Sequence, residues 1–193
     1  MPEARAEKLI QYDRVTDRNI GVNPYPNYIA IKEYGDDLIH KTKLVLAGLP
    51  LTVGNTTGVS FGGVKVYTFP QGRILLKGVT VQDLSIGLTN AGNATPIDAA
   101  DGGDLSIGST VAGDGTLTGT DVDMLPSTSI DPLSDGITDA ALAASAQFNG
   151  VSTAIAAWLN MLIDDADVAN AASDILEISG TIFLHWELFG ERN

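Results

Sequence analysis

GVSFGGVKVYTFPQGRILLKGVTV, residues 58–81, holds two apolar, β-branched runs on either side of one turn. In FPQG, Pro70 takes the second turn position and Gly72 the fourth, the preference of a type I turn, so a strand is expected on each side. KLVLAGLPLTV (43–53) upstream and RILLKGVTVQDLSIGL (73–88) downstream extend the pattern, with Gly78 at an expected bulge. Short apolar runs punctuated by Gly and Pro at these intervals belong to an all-β sandwich or barrel. ILEISGTIFLHWELFG (175–190) alternates cleanly, with Ile182, Leu184, Trp186 and Leu188 on one face and Thr181, Phe183, His185 and Glu187 on the other. It reads as a C-terminal strand lying inside a sheet.

Outside these runs the chain is of two kinds. Residues 1–42 hold four of the five tyrosines, Tyr12, Tyr25, Tyr28 and Tyr34, without a sustained period, and Pro24 and Pro26 force extended backbone. This is an N-terminal arm, with a short helix expected at about residues 3–12. Such an arm either straps the protein's own core or orders on a partner. Residues 43–193 form the body, with long loops expected at about 90–150, where Gly, Asp, Ser and Thr dominate NAGNATPIDAADGGD, VAGDGTLTGTD and LPSTSIDPLSDG. DLSIGS and TDVDML are expected strands among those loops. Ala140–Ala146 has the alanines of a helical turn or two. TAIAAWLNMLI (153–163) fits a helix or a strand by periodicity.

The 193 residues include no Cys, which removes disulfides, thiolate metal sites and Cys nucleophiles. Net charge is −13, unevenly placed. Residues 1–77 carry ten Lys/Arg and seven Asp/Glu (+3), leaving one and 17 for residues 78–193 (−16). Such an exterior repels phosphate backbones, so nucleic acid is not an expected partner. The N-terminus lacks the apolar segment of a secretory signal, and cytosolic synthesis is the expectation. The uncharged stretch 140–163 is interrupted by Gln147, Asn149, Gly150 and Asn160, and no membrane span is expected there.

Gly58-Val59-Ser60-Phe61-Gly62 spells the nucleophile-elbow pattern, in which Ser60 would need a following helix and a base such as His185. A strand follows instead, so a glycine-rich hairpin is the simpler reading. Asp164, Asp165, Asp167 and Asn170 fail the EF-hand spacing, and the pairs Asp101/Asp104 and Asp121/Asp123 read as turn formers. Two His and no Cys argue against a zinc site. Trp158 and Trp186 read as core or interface anchors. No catalytic residue, cofactor or metal is expected, and the chain is not read as an enzyme.

The stretch 58–81, with AWLNMLIDDADV (157–168) and LEISGTIFLHWELFG (176–190), resembles the capsid decoration, or cement, proteins of tailed phages. The resemblance covers roughly residues 43–90 and 150–190. Gly62, Gly63, Phe69, Pro70, Gly72, Arg73, Gly180 and Thr181 match the family's pattern as fold determinants. The resemblance implies a jelly-roll-like antiparallel β-sandwich, makes TAIAAWLNMLI a strand, and carries over no active site. It further implies a virion structural protein on the capsid exterior, tying neighbouring capsomers together, with the major capsid protein and its own copies, as trimer or dimer, for partners. Composition then marks Arg5, Tyr12, Arg14, Arg18, Tyr25 and Tyr28 as the expected capsid contacts. A head-fibre, tail or baseplate component, a serine hydrolase at Ser60 and a carbohydrate-binding module using Trp158 or Trp186 are the alternatives.

Overall fold

The computed structural model describes residues 21–35, 39–56, 59–90, 97, 101–130, 137–140, 146–164 and 173–189. Ten strands are described: β1 (Ile29–Gly35), β2 (Ile39–Thr56), β3 (Val59–Thr68), β4 (Gly72–Asn90), β5 (Gly102–Gly108), β6 (Leu125–Ile130), β7 (Ile137–Ala140), β8 (Ala146–Gly150), β9 (Ala156–Asp164) and β10 (Asp174–Phe189). All pairings are antiparallel. Eight strands follow the order β6-β5-β9-β3-β2-β10-β4-β7, with β1 added on β2 and β8 on β4. The sheet curls strongly into a half-barrel. Its only helical piece among the described residues is a 3-10 turn at Gly119–Asp121.

The curl comes from the long strands. β2 pairs with β10 over Ile39–Val53, while its other edge takes β1 over His40–Leu46 and β3 only at Gly54–Thr56. Between those two partners the pairings divide the sheet into two lobes, β1, β2, β10, β4, β7 and β8 on one side and β3, β9, β5 and β6 on the other. Gly62 of β3 packs against the backbone of β2, where a Cβ would run into the Thr52 carbonyl oxygen. Bulges in the β10 pairings add twist, at Ile178/Gly180 against β2 and at Ser179/Thr181 against β4. Gly180 has φ +144°, and the facing Asp83 has φ 49°, the single positive φ outside glycine among the described residues.

The core lies between the lobes. Leu44, Leu49, Leu51, Ile74, Leu76, Ile182, Leu184 and Trp186 of one lobe meet Val66, Tyr67, Leu105, Ile107, Leu159 and Met161 of the other. Phe69 joins them, its ring edge-on to Tyr67 at 5.1 Å and to Trp186 at 5.4 Å. A strand follows on each side of FPQG as the turn requires, yet β3 and β4 are not neighbours. The turn carries the chain from one lobe to the other.

The C-terminal alternation is realised in full: Ile182, Leu184, Trp186 and Leu188 are buried, and β10 lies between β2 and β4. TAIAAWLNMLI supplies β9, and DLSIGS falls largely within β5. TDVDML is not a strand. It passes through the 3-10 turn, and the strand is the next segment, LPSTSI, which composition placed among the loops. Asp121 and Asp123 are spent on hydrogen bonds from Thr110 and Ser109, which favours a turn there over a ladder. The arm reading ends at 42, but β1 and the start of β2 lie before that point as sheet. The helix expected at 3–12 lies outside the described residues, as does most of Ala140–Ala146. No helix among the described residues is long and apolar enough to cross a membrane.

Candidate functional site: a basic aromatic groove over a buried carboxylate network

Strand pairing assembles the site from three distant parts of the chain. Tyr34 faces Lys41, Lys41 faces His185, and in the next row Lys32 faces Lys43 and Lys43 faces Phe183. Residues directly opposed in a sheet share a face, so these side chains stand together on the outside of β1, β2 and β10. All of them but Lys32 line a groove of about 770 Å³, which Ile39, Lys77, His40 and Trp186 also line. The Lys41 ammonium lies 4.5 Å and the Lys43 ammonium 5.6 Å from the centre of the Phe183 ring. Lys77 is held by Glu187 at 3.3 Å. Neither Lys41 nor Lys43 has a carboxylate partner among the described residues. Partial burial, and then the neighbouring Lys41 charge, hold His185 below the ordinary imidazole value, which favours its neutral form.

Directly beneath the groove runs a chain of buried polar groups. Trp186 Nε1 donates to Thr42 Oγ1 at 2.8 Å, Thr42 donates to Glu33 Oε2 at 2.7 Å, and Tyr67 donates to Glu33 Oε1 at 2.6 Å. His40 stacks on Trp186 with ring centres 4.0 Å apart. Burial pushes the Glu33 carboxyl above its ordinary value, and the two hydroxyl donors pull it back. Burial first, and then the Glu33 charge, raise the Tyr67 phenol, so that it stays protonated and donating. The network locks β1, an edge strand, to β2, β3 and β10, and so makes the groove's floor rigid.

A second polar cluster organises the segment 109–124, which the sequence reading gives as loop followed by the expected strand TDVDML. Asn160 of β9 is fully buried; its Oδ1 accepts from the Ala112 amide at 2.9 Å and its Nδ2 donates to the carbonyls of Thr110 and Asp121 at 3.0 Å. Ser106 of β5 also donates to the Asp121 carbonyl. All polar groups of this amide are occupied, so it is a structural pin with nothing left for a ligand.

The expected site residues fall as follows. Arg5, Tyr12, Arg14 and Arg18 lie outside the described residues. Tyr25 and Tyr28 are exposed in the turn that leads into β1, where the Tyr25 carbonyl accepts from the amides of Tyr28 and Ile29. Ser60 is fully buried in β3, paired with Asn55 at one end of β2, whereas His185 pairs with Lys41 at the other. The two do not form a nucleophile–base pair, and the hairpin reading of GVSFG is the one realised. Trp186 is a core anchor, while Trp158 is half-buried with the Lys65 ammonium 5.0 Å from its ring. No group of three metal-ligating side chains occurs among the described residues.

Sequence reasoning missed the groove itself. Two of its parts were visible as alternations, Lys41/Lys43 in HKTKL and Phe183/His185 on the outer face of the last strand, but nothing local says that these segments pair. Family models, curated proteins and solved structures were each compared with the chain, and none matches.

Proposed function

We infer that the protein is a non-enzymatic virion structural protein that docks on the outside of a tailed-phage head and ties neighbouring capsomers together. The observation that carries this reading is the charge asymmetry in its folded form. Three lysines, a histidine and the half-buried rings of Tyr34 and Phe183 line one groove, at the Tyr34–Gly35 end of β1. Residues 78–193 carry one Lys/Arg against 17 Asp/Glu, so this groove stands on a strongly acidic chain. Such a dipolar body orients itself on a larger surface, with one face down and the acidic remainder outward in solvent. The resemblance of FPxGRI and the closing SGT strand to cement proteins supports the same reading and, with it, a jelly-roll-like description of the two-lobed body.

In this reading the major capsid protein is the main partner, and copies associate as trimers or dimers about a symmetry axis. Synthesis is in the host cytoplasm and the final location is the capsid exterior. Binding only to the assembled shell stabilises that shell by mass action. Arg5, Tyr12, Arg14, Arg18, Tyr25 and Tyr28 are the proposed contacts of the N-terminal segment.

Quantitative mass spectrometry of gradient-purified particles tests the reading. A ratio of this chain to the major capsid protein between about one-third and one is expected for a contact repeated across the lattice. A ratio of a few per cent assigns it to a head fibre, tail or baseplate, and absence from particles refutes it. Deleting residues 2–20 should abolish particle binding while the body stays folded; stoichiometric binding by the truncated chain removes the arm from the contact.

A further inference from the structure

We propose that the groove over Lys41, Lys43, Phe183 and His185 seats an extended acidic segment of a partner protein, with alternate carboxylates on the two lysines and an apolar side chain on the Phe183 ring. The inference rests on the docking reading only for the partner's identity, which is then the capsid subunit.

Four observations select this occupant. Lys41 and Lys43 are two residues apart on one strand, so they repeat at roughly 6.8 Å, the spacing of alternate side chains in an extended peptide. Both ammonium groups are gathered over one ring and lack a carboxylate among the described residues, so two like charges are held close with no counter-charge from those residues. A carboxylate arriving there relieves that repulsion and gains charge-assisted hydrogen bonds. The groove is also apolar in part, through Phe183 and the 58% exposed Ile39, so a purely ionic ligand leaves part of it unused. Finally, the charge geometry selects a short segment. A net charge of −13 repels a long polyanion, whereas a few carboxylates within a Debye length of about 8 Å feel the local lysines.

A second copy of this chain fits less well. Both copies carry the same excess of negative charge, and the Asp121/Asp123 pair, which has the right spacing, is engaged by Thr110 and Ser109.

The full chain is titrated with a fluorescein-labelled seven-residue peptide of alternating Glu and Val, followed by anisotropy at low salt. Saturable binding is expected that weakens with added salt. It should fall about tenfold or more in Lys41→Glu/Lys43→Glu, whose positions face solvent, and several-fold in Phe183→Ala. Circular dichroism checks that each variant keeps its sheet. The His185 imidazole, followed by NMR, should titrate at higher pH with peptide bound, because a nearby carboxylate favours the imidazolium. Equal affinity of the folded double-lysine variant and the parent overturns the proposal. So does competition by inorganic phosphate or a single-stranded oligonucleotide as effective as that of unlabelled peptide. Particle stoichiometry is a separate readout: absence from particles refutes the docking reading and leaves peptide binding as the test of the groove.

Discussion

Tyr67 and Glu33 show how much a single buried pair decides in this protein. The carboxyl is raised by burial from an ordinary value of 4.5, and the Tyr67 hydroxyl is the first of two donors that oppose the rise. A raised folded value means that the native state holds its proton to higher pH than the unfolded chain, so the contribution of Glu33 is fully present below 4.5 and lost as pH rises through the folded value. Tyr67→Phe removes a donor to the ionised form and should push that folded value further up. The expected cost is about 1.5–3 kcal/mol at pH 8 and less at pH 5, read from urea unfolding at the two pH values. An equal loss at both refutes the ionised pair. Ser60 is the opposite case, a buried hydroxyl with no hydrogen-bond partner among the described residues. Ser60→Ala should leave stability unchanged or raise it by up to about 1 kcal/mol, and a clear drop in Tm contradicts this account.

Gly180 interrupts β10 where its registers with both β2 and β4 shift, and a Cβ there would lie 2.8 Å from the Asp83 carbonyl oxygen and from Leu84 Cα. With φ at +144° a side chain meets both backbone strain and a backbone clash. Gly180→Ala is expected to cost more than about 2 kcal/mol by thermal or denaturant unfolding, because neither neighbour is a flexible side-chain end. The SGT motif was legible as a fold determinant, and the bulge is the physical reason. β9 was not legible without the resemblance. Its burial runs on through both faces from Leu159 to Ile163, because the segment pinned by Asn160 covers the side turned away from the core. That covering comes from residues 110–121, about 40 positions away in sequence, and a local period does not encode it.

At the scale of the whole molecule, the segment from Val22 to Ile29 is tied into the sheet and the core. Val22 bridges to Thr68, the Asn23 side chain donates to the Ile29 carbonyl, and Ile29 is buried in the core. A deletion through residue 30 therefore removes core, whereas one through residue 20 leaves every contact described here. Comparing the two truncated proteins, deletion of 2–30 should lower Tm by about 5 °C or more relative to deletion of 2–20, as loss of one buried Ile in a chain of this size implies. Equal Tm values contradict this assignment of Ile29 to the core.

For β3, β4 and β10 strand identity was written in local sequence, because a side-chain period of two and the punctuation by Gly and Pro act within a few residues. Burial of Ile182, Leu184, Trp186 and Leu188, the turn at Pro70 and Gly72 and the all-β class all follow from that short range. Partner choice belongs to tertiary structure. Trp186 reaches Thr42 across 144 positions, Tyr67 reaches Glu33 across 34, and Lys43 meets Phe183 only because β2 and β10 pair. Each strand offers the same backbone donors and acceptors to any other. Only the simultaneous fit of side chains in a closed core, with buried polar groups satisfied, selects one pairing, and that fit placed the basic groove.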